Sequence, residues 1–241
     1  MEVEASVRAA QAIAAEKKAD ETRNALLRPS VDAFLIAPTT SEEYVRIFGT
    51  NGAQPQDLTT AQSSEISGIR RQMQAGFGQS TGSRNLNSRN FKTVIANSPS
   101  SFILILGHNE KGFFRFLDGS SAALDDLVTA SKPDQRMIIV SCKAEAMLSN
   151  QAAPKVAATR HDLTYGQAFE IAETVQKYVA SAGAQVSLEM VRQALQSAES
   201  KSRFTYNLGI LVRPAVFATG AIVIALVISG GVPCARKDNC R

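Results

Sequence analysis

Histidine and cysteine are the scarce residues of this chain, two and three in 241. Their scarcity excludes whole chemistries. Cys142 lies mid-chain while Cys234 and Cys240 sit at the end, too few for a disulfide framework. Two histidines and one mid-chain cysteine do not make a ligand set, so no metal is expected. Basic residues exceed acidic ones only slightly, to a formal +4. They are dispersed, and aromatics do not interleave with them, which argues against a nucleic-acid partner. The start, Met1-Glu2-Val3-Glu4, carries acids where a secretory signal carries bases, and no apolar stretch follows. The stretch GFGQSTG at 76–82 lacks a preceding strand and a lysine, so it is not a phosphate-binding loop. No internal repeat is visible.

What is present is ordinary globular material, 44% apolar and 20% charged, enough for one sizeable core with appendages. Charge disappears altogether from Pro214 to Pro233, PAVFATGAIVIALVISGGVP. A helix of this length rises about 30 Å, the thickness of a bilayer's hydrocarbon core. Arg213 on one side and Arg236-Lys237 on the other place basic side chains where they can snorkel to headgroups. The run is apolar all round rather than striped, which favours a membrane span over a core helix. A transmembrane helix is therefore expected over 208–233, with membrane lipid as its partner and a short tail at 234–241. Moving that tail across a membrane is far easier than moving the large N-terminal part without a signal, so the large part is expected to face the cytosol. In an oxidising space Cys234 and Cys240 can pair or stay reduced.

Ahead of the span, residues 1–28 read as an N-terminal helix ending before Pro29. The run Val31 to Ala37 is a buried strand, and Thr40-Ser41-Glu42-Glu43 is a capping box for a short helix through Phe48. Residues 49–62 and 76–90 read as loops, with a helix from Ile66 to Met73 between them and another from Ser88 to Asn97. Ser101 to Gly107 is a continuous apolar run suited to a central parallel strand. Asn109 to Gly112 reads as a turn, Phe113 to Leu117 as an alternating hairpin arm, and Ser120 or Ser121 as the cap of a helix carrying Leu124, Leu127 and Val128. Met137 to Val140 is a second buried strand ending at Ser141-Cys142. The connection is long enough for a crossover, which makes these two strands parallel neighbours. Lys155 to Thr159 is a short strand, Thr164-Tyr-Gly-Gln167 a capping box, and Ser187 the cap of a further helix. The polar stretch Ser197–Asn207 links that helix to the span.

His108 follows the carboxyl end of one expected strand, and Cys142 stands at the carboxyl end of the next. In open α/β sheets, chemistry gathers on that rim. Thiol and imidazole are the minimal pair for acyl transfer through a thioester. Taken singly, such a cysteine is usually inert packing and such a histidine often a capping residue. His161, beside Asp162 in a loop, reads as surface.

The stretch ILGHNEKGFFRFLDGSSAALDDL…QRMIIVSCKAE resembles the core of caspase-like cysteine peptidases, the group holding caspases, metacaspases and the bacterial caspase-like and CHAT domains. There, a strand ends in the catalytic His, a turn and hairpin follow, then a helix, then a strand ending in the catalytic Cys. His108 and Cys142 fall on those positions, with Ser141 before the cysteine as in metacaspase-like variants. The likeness covers residues 100–145, and 30–180 by element order. The chain departs by carrying Asn109 where the family has Gly, and by a His–Cys separation shorter than the roughly 50 residues of caspases. The resemblance implies a three-layer α/β sandwich with a mainly parallel sheet over 29–182; the residues after it read as a helical linker over 183–207. It also implies a cysteine endopeptidase acting on protein or peptide. Cys142 is then the nucleophile, His108 the general base and acid, and the backbone N–H groups of Asn109 and Cys142 the oxyanion donors, with no cofactor. The other implied outcome is a catalytically silent, membrane-tethered interaction module of the same fold. Kinship alone suggests a role in bacterial stress or defence.

Overall fold

The computed structural model describes residues 30–49, 54–74, 86–182 and 186–211. The expected helix over 1–28, most of the 76–90 loop, the uncharged run 214–233 and the tail with Cys234 and Cys240 lie outside them. In chain order come β1 (Val31–Leu35), α1 (Ser41–Phe48), α2 (Thr60–Gln74), α3 (Phe91–Asn97) and β2 (Phe102–Leu106). Three short strands follow, β3 (His108–Glu110), β4 (Phe113–Arg115) and β5 (Ser121–Ala123), then α4 (Leu124–Thr129) and β6 (Arg136–Val140). The described chain closes with α5 (Ala144–Met147), β7 (Val156–Ala158), α6 (Tyr165–Ser181) and α7 (Leu188–Leu211).

Strands β1, β2, β6 and β7 pair in that order, all parallel. Parallel sheets need cover on both faces, which is why their strands are almost continuously apolar. Leu104 and Leu106 of β2 pack with Phe169, Val175, Val191 and Leu195 of α6 and α7. Ile103 and Ile105 face the other way, against Phe91, Ile95, Leu124 and Leu127 of α3 and α4. Phe114 of the small sheet joins that second layer. The result is an α/β sandwich of three layers. Each fully buried Leu or Ile in it is worth about 1.5–3 kcal/mol of burial.

Local signals hold where side chains satisfy helix ends. Thr164 Oγ1 accepts from Gln167 N at 3.2 Å while Gln167 Oε1 accepts from Thr164 N at 2.9 Å, the full capping box. At α1 the box is split: Thr40 caps Glu43, but Glu43 reaches back to Thr39 instead, at 2.7 Å. Two expectations need correction. Asn109 and Glu110 are not turn residues; they belong to β3, and the reversal is made by Lys111 and Gly112 alone. Ser121 does not cap α4 but pairs with Arg115 as part of β5, so the helix begins only at Leu124. Strand status comes there from β4 alongside, which local sequence does not carry.

Helix α7 runs unbroken through the expected linker to Leu211. It lays Val191, Leu195 and Ala198 into the core against α6. Among the described residues no helix is long and apolar enough to cross a membrane.

Candidate functional site

β2 and β6 are parallel neighbours in register, with Leu106 beside Val140. Both chains leave the sheet at this same edge, one through Gly107 to His108 and the other through Ser141 to Cys142. Gly107 is needed for the exit. A Cβ there would stand 2.4 Å from the Phe114 ring and 3.0 Å from Ile36 O, so only glycine lets the small sheet fold back this closely. Gly107 N still bonds Val140 O at 3.3 Å, holding the two exits together.

His108 opens β3 opposite Arg115 of β4. Its ring lies 4.5 Å from that of Phe48 at the end of α1 and is 5% exposed. Nδ1 is buried with no partner. Burial pushes the imidazole down to about 4, with a smaller upward pull from Glu110 and a downward push from Arg115. The ring is therefore neutral near pH 7. Glu110 itself is held by Arg115 at 2.7 Å.

Cys142 is 4% exposed and not disulfide-bonded, and its Sγ faces Leu163 O at 3.5 Å. The main chain before it is gripped by fully buried Thr159, whose hydroxyl accepts from Ser141 N at 3.0 Å and donates to Ser141 O. Directly after it, Lys143 adopts a left-handed conformation, φ 47°, a sparsely populated state for a residue with a side chain. Such strain tends to gather where a fold must present a group at a set angle. Ser141 Oγ, like His108 Nδ1, is buried without a partner.

His108, Ser141 and Cys142 line one small cleft with Gly107, Leu163, Thr164 and Tyr165; its free space of about 10 Å³ is on the scale of a single water. Asn109 lines a second, equally small cleft on the same cysteine, with Lys111, Lys143, Met147 and Asp162. The structure thus brings the two predicted reactive side chains into one depression and places Asn109 in its neighbour. Asn109 is fully engaged as a tie. Its Nδ2 donates to Cys142 O at 2.8 Å and its Oδ1 accepts from Gly112 N at 3.0 Å, joining the hairpin to the cysteine segment. His161, read as surface, is half-exposed, yet its Nδ1 lies 3.0 Å from the buried carboxylate of Glu199.

Sequence reasoning missed the partners that make this neighbourhood: Thr159, Leu163, Tyr165 and Glu199. Only Thr164-Gln167 offered a signal, as a cap, and nothing local marked its distance from Cys142. Among the described residues no group of three or more His, Cys, Asp or Glu side chains is placed to hold a metal ion.

The chain is thus an α/β protein whose two central strands bring a thiol and an imidazole to one rim, with an orphaned ring nitrogen and hydroxyl beside them. No protein-family model matches the chain, and no curated protein matches it.

Proposed function

We propose that the chain is a cysteine endopeptidase of caspase-like type, with Cys142 as nucleophile and His108 as general base and acid, acting on protein or peptide substrates. The observation that carries this reading is the shared cleft: His108 and Cys142 line it together, and two buried polar atoms there, His108 Nδ1 and Ser141 Oγ, lack partners. Unsatisfied buried polar atoms cost about 1–3 kcal/mol each, a cost that a bound substrate removes. The backbone N–H groups of Cys142 and Asn109 are the proposed oxyanion donors. The uncharged run 214–233 supports a membrane tether, with the large domain on the cytosolic side.

The described state is a resting one. An imidazole titrating at about 4 is neutral near pH 7 and a weak base there. A cleft with room for one water also does not admit a peptide. Opening the rim hydrates the imidazole, raises it back towards its ordinary range and makes room for the scissile bond. The same closure favours the second reading, a catalytically silent interaction module.

Cleavage of a peptide library by the full chain in detergent separates the two. Turnover that disappears in Cys142→Ala supports the peptidase. No cleavage of any peptide, with Cys142→Ala retaining the chain's cellular effect, leaves the interaction module.

A further inference from the structure

Three consecutive residues after β7 each meet an acidic or basic side chain. Arg160 pairs with Glu145, its Nη2 at 3.0 Å from Oε1. His161 Nδ1 faces Glu199 at 3.0 Å, and Asp162 Oδ2 meets Lys143 Nζ at 2.9 Å. Two of these partners, Lys143 and Glu145, lie within three residues of Cys142. Main-chain bonds follow the same course: Lys143 N donates to His161 O and Glu145 N to Thr159 O, both at 3.0 Å. The strap of residues 159–163 therefore lies along the cysteine segment, and its far end offers Leu163 O to the Cys142 thiol.

Glu199 of α7 anchors that strap, and it is an unusual residue for such a place. It is 2% exposed, in a stretch of sequence rich in Ser, Lys and Arg. Its carboxylate accepts from Arg160 N at 3.1 Å and from His161 N at 2.8 Å besides facing the His161 ring. A carboxylate is removed from water at high cost unless donors replace the water, and here two backbone N–H groups do. The two outer ion pairs are about half-exposed and worth little on their own. The buried carboxylate is the strong element of the set.

We propose that Glu199 is a positioning residue for Cys142, acting through the Arg160–Asp162 strap that fixes the strained Lys143 and, through Leu163 O, the thiol. This rests on the reading of Cys142 as a nucleophile, although the contacts themselves do not. The left-handed turn at Lys143 is strained and persists only if its surroundings hold it. The Lys143 N–His161 O bond is one such restraint, and Glu199 sets where His161 O lies. Removing the carboxylate releases the strap, so the cysteine segment relaxes and the thiol is uncovered. The titratable side chains lining the two clefts beside Cys142 are His108, Lys111, Lys143, Asp162 and Tyr165. Glu199 reaches the strap through the backbone N–H groups of Arg160 and His161 and lies beside the His161 ring.

The test is iodoacetamide modification of Cys142 in the full chain in detergent, followed site by site by mass spectrometry, for Glu199→Ala, Glu199→Gln and Arg192→Ala. Arg192 fixes the same helix elsewhere, to Val156 O and Ala153 O, and controls for general loosening of α7. Glu199→Ala should accelerate modification on the order of tenfold, the size expected for orphaning two part-buried backbone donors. Glu199→Gln keeps a carbonyl oxygen for the backbone donors and should stay close to the parent, and so should Arg192→Ala. If the parent cleaves peptide, Glu199→Ala should lower kcat more than it raises KM. Parent-like modification of Glu199→Ala overturns the proposal, and so does an equal acceleration in Arg192→Ala. Failure of the parent to cleave any peptide overturns the peptidase reading but leaves the modification rates to decide the role of Glu199.

Discussion

The four-stranded and three-stranded sheets meet at Gly107, yet they are made of different material. β2 is Phe-Ile-Leu-Ile-Leu with every residue buried, and β6 adds Met137, Ile138, Ile139 and Val140. Nothing in those strands asks for a particular partner; they need only volume and cover. The small sheet instead sets His108 and Asn109 into the interior and holds Glu110 and Arg115 half-buried as a pair. Cys142 is delivered by the first kind of structure and His108 by the second. An apolar frame fixes a position by packing, which is stiff and unspecific. A polar hairpin fixes it by a few directional bonds, which can be remade. The candidate site draws one reactive group from each.

That contrast predicts that changes in the two sheets do different damage. His108→Ala should lower peptide turnover on the order of a hundredfold to ten-thousandfold, the usual range for a positioned acid–base group. The chain should fold as before. In a combined His108→Ala, Cys142→Ala chain the loss should be no greater than in Cys142→Ala alone, since groups that act as a unit are not additive. Leu104→Ala, in the middle of β2, should do the reverse. It should cost about 2–5 kcal/mol in denaturant unfolding, because a fully buried leucine leaves a cavity that the sheet cannot close. An unfolding midpoint unmoved by Leu104→Ala would remove the distinction between frame and hairpin.

A third expectation comes from acid. Burial holds His108 at about 4, below its ordinary ~6.5. As pH falls, the unfolded chain therefore binds this proton before the folded one does. Stability from the neutral buried ring is fully present above about 6.5 and is lost as pH falls towards 4, on the order of 3 kcal/mol in all. Unfolding midpoints at pH 7 and pH 4.5 should drop further apart in the parent than in His108→Gln, which has no ring to titrate. Equal drops would show that the ring is already hydrated in the folded state. The peptidase reading would then start from a more open rim.

The same division of material explains what could be read in the sequence. β2 and β6 announce themselves because burial on both faces demands apolar runs. Their parallel pairing followed from the length of chain between His108 and Cys142. Ser121 misled because a serine before Leu124 is a good cap, and only β4 alongside makes it a strand residue. Glu199 was invisible for a related reason. In Glu-Ser-Lys-Ser-Arg a carboxylate looks solvated, and its burial depends on the backbone of Arg160 and His161, nearly forty positions away. Polar groups that act through distant partners leave no periodic trace.

The smallest effect tests how the hairpin keeps its register. Lys111 and Gly112 both have positive φ, 53° and 86°, the two-residue turn whose twist matches the flanking strands. Glycine suits its place, so Gly112→Ala should cost about 1 kcal/mol in unfolding free energy. Lysine does not suit the other. Asparagine enters the left-handed region more readily, and Lys111→Asn should stabilise the chain by up to about 1 kcal/mol. The rival source of register is Asn109, whose side chain already ties Gly112 N to Cys142 O across the hairpin. If that tie dominates, the turn residues are passengers, and Lys111→Asn will leave the unfolding midpoint where it was. If the turn dominates, the gain should survive in an Asn109→Ala background. The small sheet would then stand on its own geometry rather than on its bond to the cysteine segment.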